Sequence, residues 1–352
     1  MLPYIILILL IIIINIKYLG KHNKYAAYLV MFFIAFITCF RDKTVGIDTI
    51  SYVNYFLKPY LGYANDTREF EYLFQEWCTF IKQVWPNGNF FIFITSLAAL
   101  LPLFYTINKA STNKIIGISL FAVTVWVYYL YLLRQCLAIG LFCVGVYALY
   151  KKQYIIAILF FISATFFHTT VLLSIAILLA IYFVNIKKRT AIILIIISFV
   201  IALSGVFKID EILFYGFSLF TGVEFIDRYQ GYSNQTIELT SLYLIIKSIL
   251  PLSLLCTVLL YNLKDEKLLK NLFVKTFIVY IIAFNLMLYS LYTFRILLYL
   301  QVINGIGLSI LLTNQNSKKI WKLYLLILIA FSWIAIMNIS NTDHLVNYKF
   351  FF

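Results

Sequence analysis

Charge is what this chain has least of: among 352 residues there are 14 acids and 28 lysines and arginines, so charged side chains make up only 12% of it. A soluble domain carries about twice that fraction, so an ordinary soluble globular fold is excluded. Polar stretches long enough for a separate soluble domain are also missing, and we expect one transmembrane domain over residues 1–352. Cysteine is sparse. Cys39, Cys78, Cys136, Cys143 and Cys256 form no CxxC and no Cys/His pattern, so neither a metal site nor a disulfide framework is expected. The first apolar run, Leu2 to Ile16, precedes its lysines and has no small-residue cleavage site after it, which reads as a retained helix and not a signal peptide.

What fills the chain instead is hydrocarbon. Hydrophobic residues make up 63%, aromatics 19%, and the mean hydropathy is +0.95. A spanning helix needs about 20 apolar residues, and the pattern predicts an all-α polytopic membrane protein with about twelve spans: 2–18, 25–40, 89–107, 115–133, 134–150, 154–167, 169–186, 190–205, 239–261, 272–292, 295–313 and 320–340. Lysine groups fall in alternate breaks (Lys17/Lys21/Lys24, Lys109/Lys114, Lys151/Lys152, Lys187/Lys188, Lys264 to Lys275, Lys318/Lys319/Lys322). Positive loops stay on the cytoplasmic side, which sends the long segments 41–88 and 206–238 to the outer face.

Sorting charges by side separates topology from chemistry. By count, 16 of 22 lysines lie on the cytoplasmic side, whereas five of six arginines (Arg41, Arg68, Arg134, Arg228, Arg295) and twelve of 14 acids lie outside. The net charge of +14 is therefore mainly lysine topology and attraction to anionic membrane lipids, with no indication of nucleic-acid binding. Arginine presents a planar fork that grips phosphate oxygens. Arg41 closes the second span, Arg134 opens the fifth and Arg295 opens the eleventh, so we expect the three to converge on a lipid phosphate or diphosphate at the outer edge. Snorkelling to headgroups is the competing explanation for any one of them.

The joint between spans four and five, "YYLYLLRQCLAIGLF", has almost no loop, which places Arg134 and Gln135 at or just below the surface, where a lone charge needs a partner. Ala138, Gly140 and Gly145 behind them permit close helix packing. His168, in "FFISATFFHTTVLL", falls at an outer turn level with Arg134. It is either a turn residue or, held neutral beside an arginine, a general base. In "FRDKTVGIDTISYVNYF", Asp48 reads equally as a helix N-cap behind a Gly46 turn or as part of a sugar site. Tyr52, Tyr55, Tyr63 and Tyr72 are available to stack on sugars, although an interfacial belt accounts for most of 28 tyrosines. "DTREFEYLFQE", 66–76, puts Phe70, Leu73, Phe74 and Trp77 on one face, as in an amphipathic helix on the outer leaflet.

Taken in order, Arg41-xxxx-Gly46-x-Asp48-xxx-Tyr52, "EFEYLFQEW", "LRQCLAIGLF", "ATFFHTTVLL" and "TFRILLYL" resemble the EpsG-like, Wzy-type polysaccharide and O-antigen polymerases over most of the chain. That resemblance implies an all-helical fold of the lipid-carrier-dependent (GT-C-like) glycosyltransferase kind in a bacterial inner (plasma) membrane. It implies transfer of a growing chain from undecaprenyl diphosphate to an incoming undecaprenyl-diphosphate-linked repeat unit on the outer face, for capsule, exopolysaccharide or O-antigen. It also implies no metal or other cofactor, and a chain-length regulator as a partner. Carried onto this sequence, Arg134, Arg295 and Arg41 are the diphosphate-binding candidates, His168 and Asp48 the catalytic ones, and Gln135, Tyr52 and Arg228 the substrate-binding ones. "DRYQGYSNQ" around Arg228 matches the family element only loosely. Rival classes are a lipid-oligosaccharide flippase or transporter, an acyltransferase, and the O-antigen ligase, which uses the same donor. A transporter is disfavoured because mid-span charge is nearly absent, Lys247 excepted, and no internal repeat is found.

Overall fold

The structure is a computed structural model that describes residues 1–58, 70–204, 250–287 and 291–352, the side chains of residues 250 and 291–294 aside. The described residues are helical and contain no strand; one isolated bridge pairs Arg41 with Phe350. In order the helices are α1 (Leu2–Lys17), α2 (Lys24–Cys39), α3 (Thr49–Leu57), α4 (Tyr72–Val84), α5 (Gly88–Ala110), α6 (Lys114–Thr124), α7 (Leu133–Tyr150), α8 (Tyr154–Phe167), α9 (Val171–Phe183) and α10 (Lys188–Ser204). There follow α11 (Leu250–Tyr261), α12 (Leu272–Leu286), α13 (Leu291–Gln301), α14 (Asn304–Thr313), α15 (Lys318–Ser340) and the short α16 (Asp343–Val346).

Four stretches are long and apolar enough to cross a membrane: Gly88–Ala110, Leu133–Tyr150, Arg295–Thr313 and Lys318–Ser340. They coincide with four of the expected spans. Most other expected spans within the described residues appear as shorter apolar helices of 10–17 residues, such as α1, α2, α8 and α9. Part of the expected span 239–261 lies outside the described residues. Residues 115–133 differ most from expectation: α6 stops at Thr124 and a 3-10 turn, Trp126–Leu130, follows before α7. The sequence there, "VWVYYLY", is β-branched and aromatic, side chains that lose rotamer freedom in a helix, and the Trp126 indole donates instead to Thr38 Oγ1 at 2.7 Å.

α7 packs most extensively against α5 and α8. Its small residues allow this: a Cβ on Gly140 would stand 2.6 Å from the Ala99 carbonyl oxygen of α5. α4 is amphipathic as expected but begins later, and it buries Phe74, Cys78 and Ile81 against the bundle. Trp77 Nε1 donates to Thr95 Oγ1 of α5 at 3.0 Å, and the Trp77 ring meets Phe167 at the end of α8. α4 thus docks beside the turn that carries His168. All five cysteines are free and buried.

The C-terminal tail closes over the loop between α2 and α3. Asp42 N–H donates to the Lys349 carbonyl (2.8 Å), Gly46 N–H to that of His344 (3.1 Å), and Phe351 N–H to that of Phe40 (3.2 Å). Phe36 and Phe40 pack against Phe350, Phe351 and Phe352.

Candidate active site

The loop 40–48 is organised around one carbonyl. The 3-10 turn leaves the Leu130 oxygen without a helical partner, and both Arg41 Nε and Thr49 Oγ1 donate to it at 2.9 Å. Gly46 has φ +95, and a Cβ there would lie 2.5 Å from the same oxygen, so only glycine permits this approach. Arg41 is wholly buried; its Nη1 donates to Ser96 Oγ at 2.8 Å and to the Thr38 carbonyl. The structure therefore sets Arg41 apart from the other two arginines, as a peg that fixes the loop against the turn leading into α7. Arg41 Nε and Nη1 are taken up by backbone carbonyls and a hydroxyl, while its Nη2 is buried with no hydrogen-bond partner among the described residues.

Asp48 stands at the N-cap position of α3, yet its side chain makes no capping hydrogen bond. It is partly buried and lies within the electrostatic reach of Arg295 and Arg134. Burial pushes its carboxyl above the usual carboxylate range, with those two guanidiniums opposing the rise. Of the two readings open for Asp48, the cap geometry is thus unmade and the side chain faces the arginines.

Arg134 lies in the first turn of α7. Its Nη1 pairs with Glu71 Oε2 at 2.5 Å, its guanidinium lies over the Phe70 ring at 4.8 Å, and its buried Nε has no hydrogen-bond partner among the described residues. A buried donor left open in this way is uncommon and suits an incoming anion. Gln135, expected to touch substrate, is buried, and its amide donates to the Arg295 backbone carbonyl at 2.8 Å. It fastens the start of one arginine-bearing helix to the other. Tyr52 is 7% exposed and packs on Phe70 and Phe74, behind the ring that supports Arg134, so its face is not open for stacking. Arg228 and Tyr63 lie outside the described residues.

His168 ends α8, and Nδ1 contacts Glu71 Oε1 at 2.9 Å. Glu71 Oε1 also accepts the Thr169 N–H at 3.2 Å. Burial lowers the His168 pKa; the Glu71 carboxylate opposes that, and Arg134 and Arg295 add to the lowering, so the ring is neutral. The contact is thus a hydrogen bond from Nδ1–H to a carboxylate. Burial alone would push Glu71 up, but the hydrogen bond from His168 and the Arg134 guanidinium hold it down at about 2. Next to this turn, the Thr170 and Tyr299 hydroxyls lie 3.2 Å apart.

Arg134 and Arg295 thus lie within electrostatic reach of both Asp48 and His168, and Glu71 joins Arg134 and His168 directly. Sequence reasoning missed Glu71, because the acids of 66–76 read as the polar face of a helix. The available signal was its place at the start of an aromatic segment in a chain with so few acids.

A model of the EpsG family matches residues 24–350, nearly the whole chain. No curated protein and no solved structure matches it.

Proposed function

The chain belongs to the EpsG family, which supports a polysaccharide polymerase role in the membrane, and from that premise we propose a specific reaction. The protein joins undecaprenyl-diphosphate-linked oligosaccharide repeat units on the outer face of the bacterial inner membrane, moving the growing chain onto the incoming unit. The observation that carries this reading is two arginines within electrostatic reach of a neutral histidine, where among the described residues the buried Arg134 Nε and the His168 Nε2 have no hydrogen-bond partner.

In the proposed step, the acceptor hydroxyl oxygen attacks the anomeric carbon of the growing chain. The carbon–oxygen bond to the diphosphate breaks, and undecaprenyl diphosphate departs with the electron pair. His168 Nε2 takes the hydroxyl proton, a contribution of about 10²–10⁴-fold for a placed base. Arg134 and Arg295 offset the charge that grows on the leaving diphosphate, where preorganised cations are most effective. Asp48 lies on the side of both arginines and faces the positive charge that develops on the sugar ring. Gln135 and Arg41 act at one remove, by fixing the Arg295 backbone and the Asp48 loop. Membrane lipids and a chain-length regulator are the proposed partners.

The test is the native polymer resolved on a gel, in cells whose only copy is a variant. Arg134→Ala and His168→Ala at normal protein level should leave single repeat units and no ladder. A normal ladder from Arg134→Ala would remove the diphosphate assignment, and one from His168→Ala would remove it as the base. A ligase would instead show single-unit products transferred to a different acceptor, with no ladder from the wild type.

A further inference from the structure

We infer that Glu71 is the positioning residue of this site, holding His168 in the tautomer whose Nε2 accepts the substrate proton and holding Arg134 alongside it. The inference rests on the glycosyl-transfer reading above.

The chemistry of the contacts fixes the direction of each bond. An ionised carboxylate can only accept, so the proton between Glu71 Oε1 and His168 must sit on Nδ1. With the ring neutral, Nε2 then carries a bare lone pair, and no described residue bonds to it. When Nε2 takes a proton, the imidazolium forms against a carboxylate already in place, which stabilises it without rearrangement. The other carboxylate oxygen receives Arg134 Nη1, and the Thr169 N–H locks the first oxygen to the His168 turn. One side chain thus sets the spacing between the candidate base and a candidate diphosphate holder, which proximity makes decisive for rate.

Local structure gives Glu71 this freedom. It occupies the N-cap position of α4 but its side chain caps nothing, so it turns away from its own helix. The positive end of that helix favours a carboxylate there. α4 is itself anchored beside the His168 turn by Trp77, so the carboxylate arrives on a rigid element and not on a loose loop.

The competing role is charge neutralisation of Arg134 alone, and pH separates the two. The groups acting on His168 are Glu71 from the start of α4, Arg134 from α7 and Arg295 from α13. Polymerisation is measured against pH in membrane vesicles from the native strain, supplied with that strain's own lipid-linked repeat unit. Glu71→Gln should slow polymerisation about 10²-fold and move the acid limb to lower pH, because the carboxylate that raises the ring's proton affinity is gone. Added to His168→Ala it should cost little more, since both changes remove the same unit. An unmoved acid limb, or an undiminished cost in the His168→Ala background, overturns the inference.

Glu71→Asp keeps the charge and should restore the acid limb while recovering only part of the rate. The tautomer is read separately by 15N shifts of the His168 ring in the full-length protein. The wild type should show protonated Nδ1 with bare Nε2, and Glu71→Gln a mixture. The same mixture in the wild type would overturn the inference even if no polymer forms. Absence of polymer from wild-type vesicles would instead strike the glycosyl-transfer reading.

Discussion

Arg41 and Arg134 both sit at helix ends beside the Trp126–Leu130 turn, and they meet opposite surroundings. Arg41 is wholly buried, its Nε and Nη1 bonded to two backbone carbonyls and a serine hydroxyl, and neither an acid nor a partner for its Nη2 is in contact among the described residues. Arg134 is partly open and paired with a glutamate that also holds a histidine; like Arg41, it has one buried nitrogen with no hydrogen-bond partner among the described residues. The first arrangement satisfies carbonyls that a broken helix leaves exposed. The second gathers an acid, a neutral imidazole and cations in one place, which is how sites of chemistry are arranged. The same residue type at similar sequence positions thus serves as a peg in one place and as a reactive group in the other.

That contrast predicts different losses. The largest is in activity: Arg134→Ala should abolish chain growth, by 10²-fold or more as an order of magnitude, while its melting midpoint in detergent falls less than that of Arg41→Ala, through loss of the part-buried pair with Glu71. Arg134→Lys should recover only a fraction, because a point charge lacks the fork. Arg41→Ala should show the reverse balance. Each carbonyl it leaves unpaired costs about 1–3 kcal/mol, so the melting midpoint should drop by several degrees, with activity falling through the displaced Asp48 loop. If both variants lose activity and stability in equal proportion, the distinction fails.

The acid side of the pH profile comes next. His168 is pushed below its ordinary value, so it acts as a base down to a pH below about 6.5. The rate should fall only under that pH, and Arg295→Ala, which removes one of the charges that lower it, should move the limb upward. A limb above 6.5 in the wild type would contradict the neutral ring. Glu71 has its pKa depressed to about 2, so the stability it contributes is complete above its ordinary value near 4.5 and is lost as pH falls from there toward 2. Acid melts of Glu71→Gln should lack that part of the loss.

Smaller effects sharpen the peg side. Gly46→Ala places a side chain at φ +95 against the Leu130 oxygen; the backbone strain alone should cost about 1–2 kcal/mol, with a further cost for displacing that main-chain oxygen, read by thermal melting beside the polymer ladder. Asp48→Asn should be milder still for folding, because its side chain makes no cap, and any loss should appear in rate alone.

Much of this was legible in the sequence. Hydropathy patterning predicted the four membrane-length helices and most of the shorter apolar ones, and the near-absent loop before Arg134, with His168 at a nearby turn, predicted which groups could meet. Gly46 was legible as a turn. Less visible was what depends on backbone left unpaired: the 3-10 turn at Trp126–Leu130 frees the carbonyl that captures Arg41, and no residue spacing announces that. The partner of Gln135 was hidden for a related reason, since it is the Arg295 main chain 160 residues away. Glu71 was hidden because α4 begins after it, so a helical period assigned it to a polar face when its side chain turns back toward α7.

The most direct test of the central claim is equilibrium binding of undecaprenyl diphosphate, the proposed leaving product, to the purified full-length protein and its two arginine variants. Arg134→Ala should weaken binding by about tenfold or more, since a charge-assisted hydrogen bond contributes roughly 1.5–3 kcal/mol, whereas folded Arg41→Ala should bind within a fewfold of wild type. Equal affinity in Arg134→Ala and wild type would contradict the account.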